Sequence, residues 1–326
     1  MATLQTEYLG LQLKNPFIAS SCGLTGTLAG VAECARSGAG AVVLKSLFEE
    51  QIDAELGAVM DANLAVHPEA QDYLSGLGKV HGPDTYLKLI ADAQTETDIP
   101  IIASVNCISN KWWGDYARQI EQAGAAALEL NIGTIPSMPA PDSHALEEQM
   151  VDTVRAVKSQ IKIPVAVKLG PYFTSLPAVV ERLVEAGADG LVLFNRFYRL
   201  DIDTEKLTFI TGKMTSQPEE LHLSLRWVAL LSPHVSVPIS VSTGVHEATD
   251  AIKAILVGAR VVQMASVLYR KKTKYLQTLA EETLAWLDRH GFASLDAIRG
   301  QLSGSNSAAQ EVLGRIQYIK ALSGVS

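Results

Sequence analysis

GAGAVVLK at 38–45, GAAALELN at 124–131, GADGLVLFN at 187–195 and GARVVQMAS at 258–266 repeat one pattern: Gly-Ala, a short apolar run, and a polar side chain where the run stops. Each copy follows a stretch with helix-like spacing, so its glycine reads as a helix terminator, a position where left-handed backbone costs least. The Val, Leu and Met runs that follow lack alternation, as suits strands covered on both faces, and crossover helices make such strands parallel. With further runs at 16–20, 101–106, 165–170 and 238–242, and the first copy's run at 42–46, the chain carries eight strands, and helical spacing fills gaps such as 176–186 and 247–257. The pattern predicts an α/β fold, a (β/α)8 TIM barrel, occupying 1–326 as one domain.

Three segments fall outside the repeat. Residues 4–15, LQTEYLGLQLKN, read as an N-terminal β-hairpin around Gly10, placed to plug the barrel floor. The connections after strands 2 and 6, from Leu47 to about Pro83 and from Phe197 to about Pro218, are extended loops. Loops of that length in compact domains usually carry function, which gives them lid or substrate-loop roles. Residues 272–320 read as C-terminal helices.

The 326 residues are 48% hydrophobic and 19% charged, enough to bury a sizeable core. The net charge of −8 contains no basic block, which argues against nucleic acid and an anionic membrane surface as partners. No apolar stretch approaches a membrane span, and MATLQTEYLG lacks the charged and apolar regions of a signal peptide, so a cytoplasmic protein is expected. Cys22, Cys34 and Cys107 lack metal or redox spacing and the seven His residues are dispersed, so no metal site is expected.

The polar strand ends carry the chemistry, because a (β/α)8 barrel places its reactive groups at the C-terminal ends of its strands. Ser242-Thr243-Gly244 and Ala265-Ser266 close strands 7 and 8, where small residues and a helix start can hold phosphate; an ordinary strand-to-helix turn uses the same residue types. Lys45 and Lys168 close apolar strands, and each could hold an anion, form a Schiff base or stabilise negative charge on a reduced flavin. Asn131 and Asn195 each offer donors and an acceptor, which suits a flat heterocycle with amide edges.

NPFIASSCG at 15–23, VVLKSL at 42–47, LELNI at 128–132, AVKLGPYF at 166–173, LFN at 193–195, STGV at 242–245, QMASVLY at 263–269 and GFASLDAIRG at 291–300 resemble, in order, the motifs of soluble-class dihydroorotate dehydrogenases. The resemblance implies a barrel that binds FMN and oxidises dihydroorotate to orotate in pyrimidine biosynthesis, working as a homodimer. It implies flavin contacts at Ala19, Ser20, Lys45, Ser46, Asn106, Asn131 and Lys168, and phosphate contacts at Thr243, Gly244, Ala265 and Ser266. Thr243 stands where the family usually has another glycine.

Departures from the family gather at the substrate. Thr134 takes the position of the catalytic Cys or Ser base, so the implied catalytic set is Thr134, Lys45 and Lys168. Pro136 replaces an asparagine, and Leu74-Ser75-Gly76-Leu77-Gly78 replaces an amide-bearing segment. The implied substrate-facing set is Lys45, Ser75, Asn131, Asn195 and Arg196. Three alternatives stay open: a related cyclic amide as substrate, a phospho-sugar lyase or aldolase using Lys168 as its amine, and a flavin-binding protein without dihydroorotate turnover.

Overall fold

A computed structural model of the chain describes residues 2–49, 83–107, 113–133, 142–196 and 199–305, with positions 319 and 323. The chain opens with the antiparallel pair β1 (Thr6–Tyr8) and β2 (Leu11–Leu13), in register Thr6↔Leu13 to Tyr8↔Leu11. Leu9 and Gly10, at φ 55° and 73°, make the two-residue turn whose twist matches a hairpin. There follow β3 (Phe17–Ala19), α1 (Leu28–Arg36), β4 (Ala41–Val43), the short β5 (Leu47–Phe48), α2 (Pro83–Glu96), β6 (Ile101–Cys107), α3 (Trp113–Gln122), β7 (Ala127–Ile132), α4 (Ser143–Lys158), β8 (Val165–Leu169), α5 (Leu176–Glu185) and β9 (Gly190–Leu193). A second hairpin, β10 (Leu200–Asp203) and β11 (Thr208–Thr211), precedes α6 (Leu221–Leu231), β12 (Ile239–Ser242), α7 (Ala248–Leu256), β13 (Val261–Met264), α8 (Ser266–Lys271) and α9 (Tyr275–Arg289).

The strand order β4-β3-β13-β12-β9-β8-β7-β6 is parallel throughout, and a β4–β6 pairing returns the sheet onto itself. The predicted eight-stranded barrel is present. The repeated Gly-Ala pair explains its regularity. Gly38, Gly124, Gly187 and Gly258 sit at φ 95°, 96°, 104° and 116°. The alanine after each donates its N–H back to the last helical turn, to the carbonyls of Cys34, Ile120, Leu183 and Ala254. That six-to-one bond satisfies a carbonyl the helix leaves open and turns the chain straight into the next strand. At the other end, Thr27 and Asp142 cap α1 and α4 through side-chain oxygens that accept from Gly30 and Ala145.

Alternate strand residues divide between the barrel and its helical coat. Phe17, Val42, Leu128, Val167 and Val241 pack outward under the helices. Ile18, Ala41, Val43, Ile102, Ala127, Ala166, Val192 and Val261 form a separate inner cluster with Tyr8, Leu9 and Leu13 of the hairpin. The hairpin therefore plugs the floor, as its sequence suggested. The long connection after the second strand lies, over 50–82, outside the described residues. The connection after the sixth strand carries the β10–β11 hairpin, a sheet of its own that the sequence reading missed because its alternation is only four residues per strand. Of the expected C-terminal helices, α9 is present, and 306–318 lie outside the described residues.

Tyr8 is 1% exposed, and its hydroxyl meets no hydrogen-bond partner among the described residues. Burial, and then the field of Glu129, push that hydroxyl well above the usual tyrosine range. Removing an unpaired buried polar atom is close to neutral, whereas removing the ring empties the floor. Chemical denaturation should show Tyr8→Phe within about 1 kcal/mol of the parent protein and Tyr8→Ala destabilised by roughly 3–5 kcal/mol.

Candidate active site

Above the apolar floor the inward positions turn polar. In β7 the sequence of inward residues is Ala127, Glu129, Asn131, and in β8 it is Ala166, Lys168, with Glu129 opposite Ala166 and Asn131 opposite Lys168 in register. Lys168 is 5% and Glu129 1% exposed, so both charges are out of water and must answer one another. Lys168 Nζ lies 3.3 Å from Glu129 Oε1 and 3.4 Å from both Ser20 Oγ and Gln263 Oε1. Gln263 Nε2 donates to Glu129 Oε2 at 2.6 Å, and Ser20 Oγ donates to Gln263 Oε1 at 3.2 Å. Glu129 and Gln263 went unread in the sequence. Their signal was present, an acid and an amide inside otherwise apolar strands.

Lys168 forms the inner wall of a cavity of about 540 Å³, within the size range of ligand pockets; Asn195, Thr243, Gly244, Ala265 and Ser266 line it as well. Where β12 ends, Thr243 and Gly244 are consecutive left-handed residues, at φ 75° and 82°. Gly244 is required there, because a Cβ would stand 2.3 Å from the Leu221 nitrogen. Thr243, in place of a glycine, is anchored by donating its hydroxyl to the Phe194 carbonyl at 3.1 Å.

Ser216 closes this end, and no sequence signal pointed to it. Its Oγ accepts from Gly244 N at 3.3 Å and meets His246 Nε2 at 3.2 Å, while its own N–H donates to Ser266 Oγ at 2.8 Å. Arg270 donates to Thr215 Oγ1 at 2.8 Å, bringing a cation beside the same loop. Burial, then Arg270, hold the His246 imidazole below the ordinary histidine range.

On the neighbouring strand end Asn195 Nδ2 donates to Asn131 Oδ1 at 2.9 Å, joining the two predicted amides. Arg196 reaches Glu220 at 3.0 Å and donates to the carbonyls of Met214 and Lys213 at 3.2 and 2.7 Å, so its guanidinium holds the 213–217 loop over the cavity. Lys45 lines a neighbouring cavity of about 310 Å³ with Gly26, Tyr86 and Asp92. Ser46 links the two regions through hydroxyl contacts to Ser21 at 3.0 Å and Ser104 at 2.8 Å. Ala19 packs outward under the helices, so its backbone is what borders the mouth, and Asn106 is half-buried at the end of β6, opposite Asn131. Thr134 and Ser75 lie outside the described residues.

A buried cation, paired amides and a turn of small residues beside Ser266 suit a flat, amide-edged ring bearing an anionic tail. The family described as Dihydroorotate dehydrogenase matches residues 3–287. The catalytic subunit of dihydroorotate dehydrogenase B (NAD(+)) from Geotalea uraniireducens is 29% identical over 324 residues, 92% of this chain and 98% of the relative. The corresponding subunit from Methanocaldococcus jannaschii is 26% identical over 305 residues, 87% of this chain and 93% of its own. Dihydroorotate dehydrogenase A (fumarate) from Lacticaseibacillus paracasei is 32% identical over 190 residues, 56% of this chain and 65% of the relative.

Two measurements check this geometry. Gly244→Ala forces a Cβ into left-handed backbone against α6 and should cost about 2 kcal/mol or more in chemical denaturation. His246 takes up its proton at lower pH folded than unfolded. Stability is therefore lost as pH falls through about 6.5 towards the lower folded value, because the unfolded chain binds the proton first. The melting temperature of His246→Gln should fall less than that of the parent between pH 7.5 and 5.5.

Proposed function

Because the chain belongs to the dihydroorotate dehydrogenase family, we propose that it is an FMN-dependent oxidoreductase that oxidises dihydroorotate to orotate in pyrimidine biosynthesis. One observation carries the reading: a single cavity runs from the buried ammonium of Lys168 to the left-handed Thr243-Gly244 pair and Ser266. FMN needs those two ends, a cation near the electron-rich edge of its ring and a phosphate cup at its tail. Ser20, Ser46, Asn106, Asn131 and Lys168, with the backbone at Ala19, would hold the ring, and Thr243, Gly244, Ala265 and Ser266 the phosphate. When bound, FMN supplies a hydride acceptor for the C–H bond that is broken.

The chain's own groups supply the rest. Asn131 and Asn195, hydrogen-bonded to each other at 2.9 Å, present amide edges that can align a dihydropyrimidine ring. Lys45, Ser75 and Arg196 complete the proposed substrate set, Arg196 acting through the loop it pins. Thr134, in the place of the family base, would take the C5 proton; a threonine hydroxyl needs an activating partner to do so. These substitutions, with Leu74 and Pro136 in place of amides, support a second reading in which a related cyclic amide is the substrate. The lyase reading is not favoured, since Lys168 is bonded to a carboxylate and a Schiff base needs a free amine.

The proposed unit is one domain over 1–326, a homodimer by family resemblance, acting on a small molecule in the cytoplasm. The unpaired Cys22 and the buried Cys34, whose thiol burial pushes up to about 12, are in keeping with a reducing compartment. No helix among the described residues is long and apolar enough to cross a membrane.

The purified protein should be yellow with non-covalent FMN, and Ser266→Asp should weaken FMN at least about tenfold, by placing a carboxylate beside the phosphate. Anaerobic dihydroorotate should bleach the flavin, and orotate should bind weakly, short of the roughly 2–5 kcal/mol that a full set of buried amides supplies. Bleaching by another dihydropyrimidine but not by dihydroorotate would select the second reading.

A further inference from the structure

The geometry points to a role for Glu129: we infer that it is a positioning residue, the counter-ion and tether that aims Lys168 at the ring site. Its effect on FMN rests on the flavin reading above, whereas the tether itself does not. Glu129 lies one inward layer below Lys168, since it registers with Ala166 and Lys168 with Asn131. The carboxylate stands on the floor side of the ammonium and the cavity on the other.

The ammonium has three protons and three acceptors, Glu129 Oε1, Ser20 Oγ and Gln263 Oε1, at 3.3–3.4 Å. Those distances exceed the 2.7–2.9 Å of a tight charge-assisted bond, so Lys168 is held centrally by three long bonds, one of which a ligand acceptor can replace. Glu129 is held harder, by the 2.6 Å bond from Gln263 Nε2, and serves as the fixed point of the group. Ser104, Ser240 and Ser242 are further buried polar groups on the inward face, and the Tyr8 hydroxyl below is kept neutral by burial. Lys168 and Glu129 thus oppose one another as a buried pair of full charges. Removing the carboxylate leaves an uncompensated buried cation, which swings towards the cavity and strengthens the positive field there.

Three measurements test the tether. In apo-protein, Glu129→Gln should lower the melting temperature by roughly 4–7 °C, and Glu129→Gln combined with Lys168→Met should regain at least half of that. A double variant as unstable as the single one overturns the proposal, and this comparison stands even where the single variant fails to fold. Labelling of Lys168 by acetic anhydride, followed by peptide mass spectrometry, should be at least about fivefold faster in Glu129→Gln than in the parent; an unchanged rate overturns it. Saturating FMN should slow that labelling in both proteins. Absence of such protection counts against the flavin site and leaves the tether standing. In the FMN-loaded protein, Glu129→Gln should make the flavin midpoint potential more positive and Lys168→Met more negative. A purely structural Glu129 would loosen FMN without raising the potential, and that result overturns the proposal.

Discussion

The buried pair of Lys168 and Glu129 is possible only inside a closed barrel. Glu129 belongs to β7 and its second partner, Gln263, to β13, four strand spacings away in the sheet order. In a flat sheet that separation is about 19 Å; here the two side chains meet across the lumen at 2.6 Å. The β4–β6 pairing therefore does more than hide strand edges. It brings to one point the acceptors that make a lysine at 5% exposure tolerable. The floor contributes as well. Tyr8, Leu9 and Leu13 fill the lumen beneath, so Lys168, Glu129, Gln263 and Ser20 bond one another instead of solvent on that side.

Above that layer the site is assembled from strand ends and held shut by a loop. The 213–217 segment contributes no strand, yet Arg196 binds two of its carbonyls, Ser266 binds the Ser216 nitrogen, and Gly244 and His246 meet the Ser216 hydroxyl. The loop thus ties together Arg196, the Thr243-Gly244 turn and Ser266, and neighbouring Asn195 and Arg196 divide the work. Asn195 pairs with Asn131, and Arg196 with the loop and Glu220. A side chain committed to several backbone carbonyls acts on a ligand chiefly by fixing what surrounds it.

In the proposed reading most departures from the family, at Leu74, Thr134 and Pro136, concern the substrate. Barrel strands are constrained by packing on both faces, whereas loops at the strand ends are free to change chemistry without disturbing the core. The proposed cofactor end is set by strand termini and tight turns, and its one departure, Thr243, is anchored to the Phe194 carbonyl. Leu74, Thr134 and Pro136, which carry the proposed departures, lie outside the described residues.

Local, periodic information was legible in the sequence. The Gly-Ala repeat gave the helix ends, because Gly38, Gly124, Gly187 and Gly258 need left-handed backbone and the alanines that follow close the same hydrogen bond. The apolar runs gave parallel strands, and their polar last residues gave Lys168, Asn131, Asn195, Gly244 and Ser266, all brought around the barrel mouth. Contacts between residues far apart in the chain were not legible. Glu129 and Gln263 are separated by 134 positions, and the two hydroxyl partners Ser46 and Ser104 by 58. Nothing in either strand alone announces its partner, since an inward-facing polar residue is explained only by what stands across the lumen. The sequence by itself determined the barrel, its hairpin floor and the strand ends that carry chemistry. Only the tertiary structure decided that Lys168 is answered by Glu129, that Ser216 closes the cup and that Arg196 serves the loop, because each depends on closing the sheet and folding one long connection back over its mouth.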